Sequence, residues 1–234
     1  MKIGFKEFIA VAATYLVAVS GCYLFGYWGA FNVNVLEFIA LADIAKLAIY
    51  PLLASLGFAL PGYVISHLRN TNMPVGGGNS TAIGNFGFKY WRALLSLQIL
   101  LIALVVIFGK DPYRWFVVAV LFSLLSTALT HVDALVEILP NPQVRSTTLF
   151  LALLLPGLAF AQGRLQADNI KEGRTALFVD TSRSNLHFAL DAKSPVVYLG
   201  FLNGTFVLFE QKTGQIIFVK QKEDSPLTIG PKPL

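Results

Sequence analysis

From Phe8 to Leu36 the chain carries no charged side chain. A bilayer is crossed by about 20 mostly apolar residues in a helix. The run therefore predicts a first membrane span over about 8–28, with Tyr23, Tyr27 and Trp28 as an interfacial aromatic belt near its end. Four further apolar stretches follow at about 44–66, 93–109, 115–132 and 147–162. The second holds Pro51 and Pro61 and the fifth Pro156, which a membrane helix tolerates at the cost of a kink. Between the second and third lies a glycine-rich loop, with Gly76, Gly77, Gly78, Gly84 and Gly87. The expected fold is a membrane all-α bundle of about five transmembrane helices with a small antiparallel β-rich C-terminal domain.

Composition supports that reading. Hydrophobic residues are 55% and charged residues 13%, against a usual charged share of about 25%. Disorder is excluded, because it needs few apolar residues and high charge. The 31 charges are uneven: 15 fall in residues 1–163 and 16 in residues 164–234. That shift divides the chain into a helical domain, 1–163, and an extramembrane domain, 164–234. The net charge of +5 comes from scattered basic residues with no run or stripe, so nucleic acid is not an expected partner. Membrane lipids are. With the N-terminus inside, the inner segments hold Lys2, Lys6, Arg69, Lys89, Arg92 and Arg145, while the outer loops hold only Lys46, Lys110 and Arg114. Five spans then put the tail on the outer side, although Arg164, Lys171 and Arg174 pull the other way.

The tail reads as β. Val196–Leu202 and Thr205–Glu210 flank Asn203-Gly204, the strongest short hairpin signal. A third strand is expected over Gln215–Gln221, two weaker ones over Thr175–Asp180 and Leu186–Leu190, and a frayed end over Pro226–Leu234. Several strand positions are apolar on both faces, so such a sheet must pack against something. Tyr198, Phe201, Phe206 and Phe209 are the candidate partner-binding residues.

Other candidate sites are few. Val19-Ser20-Gly21-Cys22 resembles the bacterial lipobox, in which the cysteine is lipidated. Against lipidation of Cys22, Tyr23–Trp28 continues the apolar run where a lipoprotein turns polar. Asp43 and Lys46 are three apart, share a helix face and can pair. Deep in a bilayer they would serve an ion or solute pathway; at the interface Lys46 snorkels. His131, Asp133 and Glu137 do not converge on one helix as a metal site. No metalloprotease, nucleophile-elbow, phosphate-loop or dinucleotide motif is present. No catalytic residue, metal ligand or cofactor is assigned.

The run Asn34–Lys46, NVLEFIALADIAK, resembles a segment of small uncharacterised bacterial polytopic inner-membrane proteins. It implies no activity and carries no functional residue across. The expected localisation is a bacterial inner membrane, multi-pass, with the N-terminus cytoplasmic and the C-terminal domain periplasmic. The expected function is a membrane binding or accessory protein whose β-rich domain engages a protein partner. An immunity protein against a secreted toxin and an auxiliary subunit of a membrane complex are its concrete forms. The alternatives are a pathway through the bundle at Asp43 and Lys46, and a lipid-facing enzyme of no recognisable motif.

Overall fold

The computed structural model describes residues 5–37, 86, 89–130, 132–174, 177–180, 184, 195–221 and 227–230. Its helices are α1 (Phe5–Gly29), α2 (Trp91–Phe108), α3 (Tyr113–Ser123), the short α4 (Ser126–Leu129) and α5 (Asp133–Ile138), and α6 (Pro142–Lys171). Among the described residues one helical stretch, Val144–Lys171, is long and apolar enough to cross a membrane. The expected five-span bundle is therefore corrected. The reason is that a charge-free run is not the same as an unbroken helix. The fourth stretch breaks after Ser123, where the Leu125 amide bonds back to the Phe122 carbonyl, three residues away. It breaks again before Asp133, where α5 starts afresh. The third is an 18-residue helix. The fifth grows from the expected 16 residues to 30, because neither Arg145 nor Arg164 stops it. The second stretch lies outside the described residues. The composition shift at 163/164 falls inside α6, which runs on to Lys171.

α1 and α6 run parallel and touch along their length. Tyr15 meets Leu151 and Ala152, Gly26 meets Phe160, and Lys171 reaches Ala30. Glycine permits the close approach. A Cβ on Gly163 would collide with the Tyr23 carbonyl and lie 2.8 Å from the Tyr27 nitrogen; one on Gly26 would collide with the Phe160 carbonyl. α3 runs antiparallel to α6, with Gly157 against Ala119 and Trp115 edge-on to Phe160 at 4.9 Å.

Several polar side chains donate to backbone carbonyls near helix breaks and helix ends. Pro156 has no N–H, so Ala152 loses its i+4 donor; the Tyr15 hydroxyl donates to that carbonyl at 3.1 Å. Leu121 loses its donor where α3 breaks, and the Gln98 amide of α2 donates to it. Arg114 donates to Val106 at 3.0 Å and Arg145 to Leu139 at 2.7 Å. Lys171 donates to Ala30, and Gln211 to Ile170 at 3.2 Å. Orphan carbonyls are expensive wherever water is scarce.

The tail forms a five-stranded antiparallel sheet in the order β4-β3-β2-β1-β5: β1 Leu177–Val179, β2 Val196–Leu202, β3 Thr205–Glu210, β4 Ile216–Lys220 and β5 Ile229–Gly230. Asn203 and Gly204 both take positive φ, +45° and +75°, as a two-residue hairpin turn requires. The expected strand at Leu186–Leu190 lies outside the described residues. The end expected to fray instead adds β5 to the edge of β1, with the Asp180 amide donating to the Thr228 carbonyl at 2.9 Å. One-residue alternation sends Val197 and Leu199 of β2, and Val207 and Phe209 of β3, to the helix side. There they join Tyr27, Trp28, Phe31, Ala167, Ile170 and Phe178 in the main core.

Candidate functional site

The sheet is seated on the C-terminal ends of α1 and α6. The seat is aromatic: Phe31 meets Phe209 edge-on at 5.3 Å, and Tyr27 lies edge-on to Trp28 and Phe31 at 5.1 and 5.5 Å. The buried Tyr27 hydroxyl donates to the Leu199 carbonyl at 2.9 Å, tying α1 to β2. At this point β2 bulges between Tyr198 and Gly200. Leu199 and Gly200 both face the helices, and Gly200 leaves the room that the Trp28 ring fills; a Cβ there would stand 3.3 Å from it. An extra residue in the strand reverses the alternation beyond it. Leu202 therefore returns to the core, and Phe201 is turned to the outer face.

The outer face has a buried apolar floor of Val179, Val196 and Leu208, bordered by Ile217, Val219 and Leu227. On it stand three of the four candidate residues. Tyr198 and Phe206 have ring centres 6.4 Å apart, and Phe201 and Phe206 4.9 Å. Phe201 keeps 41% of its surface exposed. Burial holds the Tyr198 phenol above its ordinary range, so it remains neutral and able to donate at any physiological pH. The fourth candidate, Phe209, is corrected: it is 8% exposed and packs on the opposite face against Phe31. Strict alternation alone would separate it from Phe206, three residues earlier. The bulge is what brings Phe201 round to Phe206, and the floor residues Val196 and Leu208 were not singled out because apolar runs look alike on both faces.

Asp43 and Lys46 lie outside the described residues, as does His131. Asp133 and Glu137 sit on the exposed six-residue helix α5. Among the described residues no group of three or more His, Cys, Asp or Glu could hold a metal ion. Cys22 is a free, half-buried thiol within unbroken α1, packed against the main core. Among the described residues a dense polar cluster closes the α2–α3 turn. Asp111 accepts from Arg114 through both carboxylate oxygens, at 2.8 and 2.6 Å, and from the Trp115 indole at 2.7 Å. These contacts satisfy one another and close the turn.

No protein-family model matches the chain, and neither does any curated protein or solved structure. The described residues form a helical platform with one membrane-length helix and an antiparallel sheet mounted on it, aromatic on its outer face.

Proposed function

We propose that this is an integral membrane binding or accessory protein. α6, with α1 parallel beside it, lies in a bilayer, and the mounted sheet engages a protein partner through Tyr198, Phe201 and Phe206. The observation that carries the reading is the division of labour between the sheet's faces. The inner face is committed to α1 and α6, while the outer face holds an aromatic cluster with Phe201 41% exposed. Aromatic groups on an apolar floor with one polar handle are the usual anchors of an interface.

Membrane residence draws on three supports. The apolar window of α6 is only 17% buried within the protein, whereas the core helix of a soluble protein would be mostly covered. α2 and α3 turn Leu97, Ile99, Leu100, Ile107, Phe108, Val117 and Val120 outward, more apolar surface than a soluble monomer usually leaves bare. The carbonyls released by Pro156 and by the end of α3 are each bonded from inside the protein, as lipid surroundings demand. A bacterial inner membrane, several passes and a periplasmic sheet are the finer form of this proposal. A secreted toxin to be neutralised and a larger membrane complex to be assisted are the two concrete partners. The pathway alternative rests on Asp43 and Lys46, and nothing among the described residues favours it.

The test is a photo-crosslinking amino acid at Phe201, introduced in living cells. A discrete adduct is expected, lost when Phe206→Glu is added and absent when the probe sits at Lys212, in the exposed β3–β4 turn. Equal adducts at 201 and 212, or none at either, would overturn the partner reading.

A further inference from the structure

Arg145 is the least explained charge in the described structure. It is 8% exposed, and its Nε has no hydrogen-bond partner. Its one bond runs from Nη1 to the Leu139 carbonyl at 2.7 Å. The ion pairs Arg114–Asp111 and Arg174–Glu172 do not involve Arg145. A guanidinium that buried is costly without a counter-charge.

Its position indicates where that charge comes from. Arg145 is the fourth residue of α6, in its first turn, where the helix dipole adds positive potential. Asn141 accepts from the Val144 and Arg145 amides, and Pro142 brings no N–H, so the backbone there is already capped. The cationic side chain folds back past the helix start to Leu139 rather than along the apolar run. That run, Ser146–Gly163, is uncharged and ends at Arg164, whose Nε is also unpartnered and whose guanidinium lies 5.8 Å from the centre of the Phe160 ring. From Arg145 to Arg164 the axial rise is about 28 Å, close to the hydrocarbon thickness of a bilayer, about 30 Å. Beside it, Val144 is about half exposed, which leaves the outer surface of this turn open.

We infer that the first turn of α6 holds the phosphate of an anionic phospholipid headgroup, with Arg145 as its counter-charge. The inference rests on the membrane reading above. A guanidinium pairs with phosphate through charge-assisted hydrogen bonds. Bound there, the headgroup supplies the missing anion and fixes the depth of the helix start. A free phosphate ion shares that chemistry, but the apolar run beginning one residue later favours the lipid.

The full chain, purified in mild detergent, is titrated with dioleoyl phosphatidylglycerol, dioleoyl phosphatidylcholine and inorganic phosphate, following thermal unfolding. Phosphatidylglycerol should raise the midpoint more than phosphatidylcholine does, and inorganic phosphate should have no effect at the same concentration. R145Q should weaken the phosphatidylglycerol response about tenfold in apparent affinity, the scale of one lost charge-assisted contact. R145K should keep part of it, and K212Q, in the exposed β3–β4 turn, all of it. An unchanged response in a folded R145Q protein overturns the inference; should R145Q not fold, the response of R145K decides. An equal response to inorganic phosphate replaces the lipid with a free anion and also overturns it. Alkaline carbonate extraction of membranes separates the two proposals. Release of the wild-type chain sinks the membrane reading itself, while retention with an unaltered R145Q titration sinks only the headgroup site.

Discussion

Single side chains in this protein answer to the backbone more than to one another. Tyr15 and Pro156 illustrate it: the proline removes a donor from α6, and a hydroxyl from α1 replaces it at 3.1 Å. Replacing Tyr15 by Phe strands the Ala152 carbonyl and should cost about 1–2 kcal/mol. In a Pro156→Ala background residue 156 regains its amide, so the same substitution should cost close to nothing. A double-mutant cycle by denaturant unfolding measures the difference; equal costs in both backgrounds would refute the coupling. Phe209 of β3 and Phe201 of β2 part company in the same way. Phe209→Glu buries a carboxylate against Phe31 and should cost several kcal/mol, enough to expose the sheet to proteolysis. Phe201→Glu, on the outer face, should leave resistance to limited proteolysis nearly unchanged.

At the scale of elements, the α1–α6 pair is the joint on which the sheet depends. Its closeness rests on Gly26 and Gly163, each facing backbone of the other helix. Gly163→Val would force the helices apart and should destabilise the pair by about 1–3 kcal/mol or more, as overpacking does. The loss should spread to the sheet, because Trp28 and Ile170, at the ends of those helices, share its core. The measurement is hydrogen exchange: β2 and β3 amides should lose protection in Gly163→Val but not in Gly21→Ala, where a Cβ meets nothing within 4 Å. Strands were legible in the sequence where the turn chemistry was local. Asn203-Gly204 set the β2–β3 hairpin to the residue, since few other pairs accept positive φ twice running. β5 was not legible, because two residues with three prolines around them carry no pattern of their own; pairing with β1 alone makes them a strand.

For the whole molecule, direction matters most. Because α1 and α6 are parallel and both end at the sheet, residue 5 and the sheet stand at opposite ends of the pair. If the pair crosses a bilayer, the N-terminus and the sheet face different compartments. A reporter active only outside the cytoplasm should then be active at one end of the chain, before Met1 or after Leu234, and inactive at the other. Equal activity at both ends would mean that the pair does not cross. The sequence by itself determined that apolar helices would dominate the described part of the first two thirds, that the described tail would form an antiparallel sheet, and where its central hairpin would turn. These follow from local composition and from turn residues with few alternatives. Only the tertiary structure decided where helices break, that α6 runs on past its apolar segment to carry the sheet, that Phe209 serves the core and Phe201 the surface, and that Arg145 is buried with no ion-pair partner among the described residues. Those outcomes depend on which backbone groups and which faces meet in the folded chain, across 137 residues for Tyr15 and Ala152 and 178 for Phe31 and Phe209, and apolar composition alone does not record them.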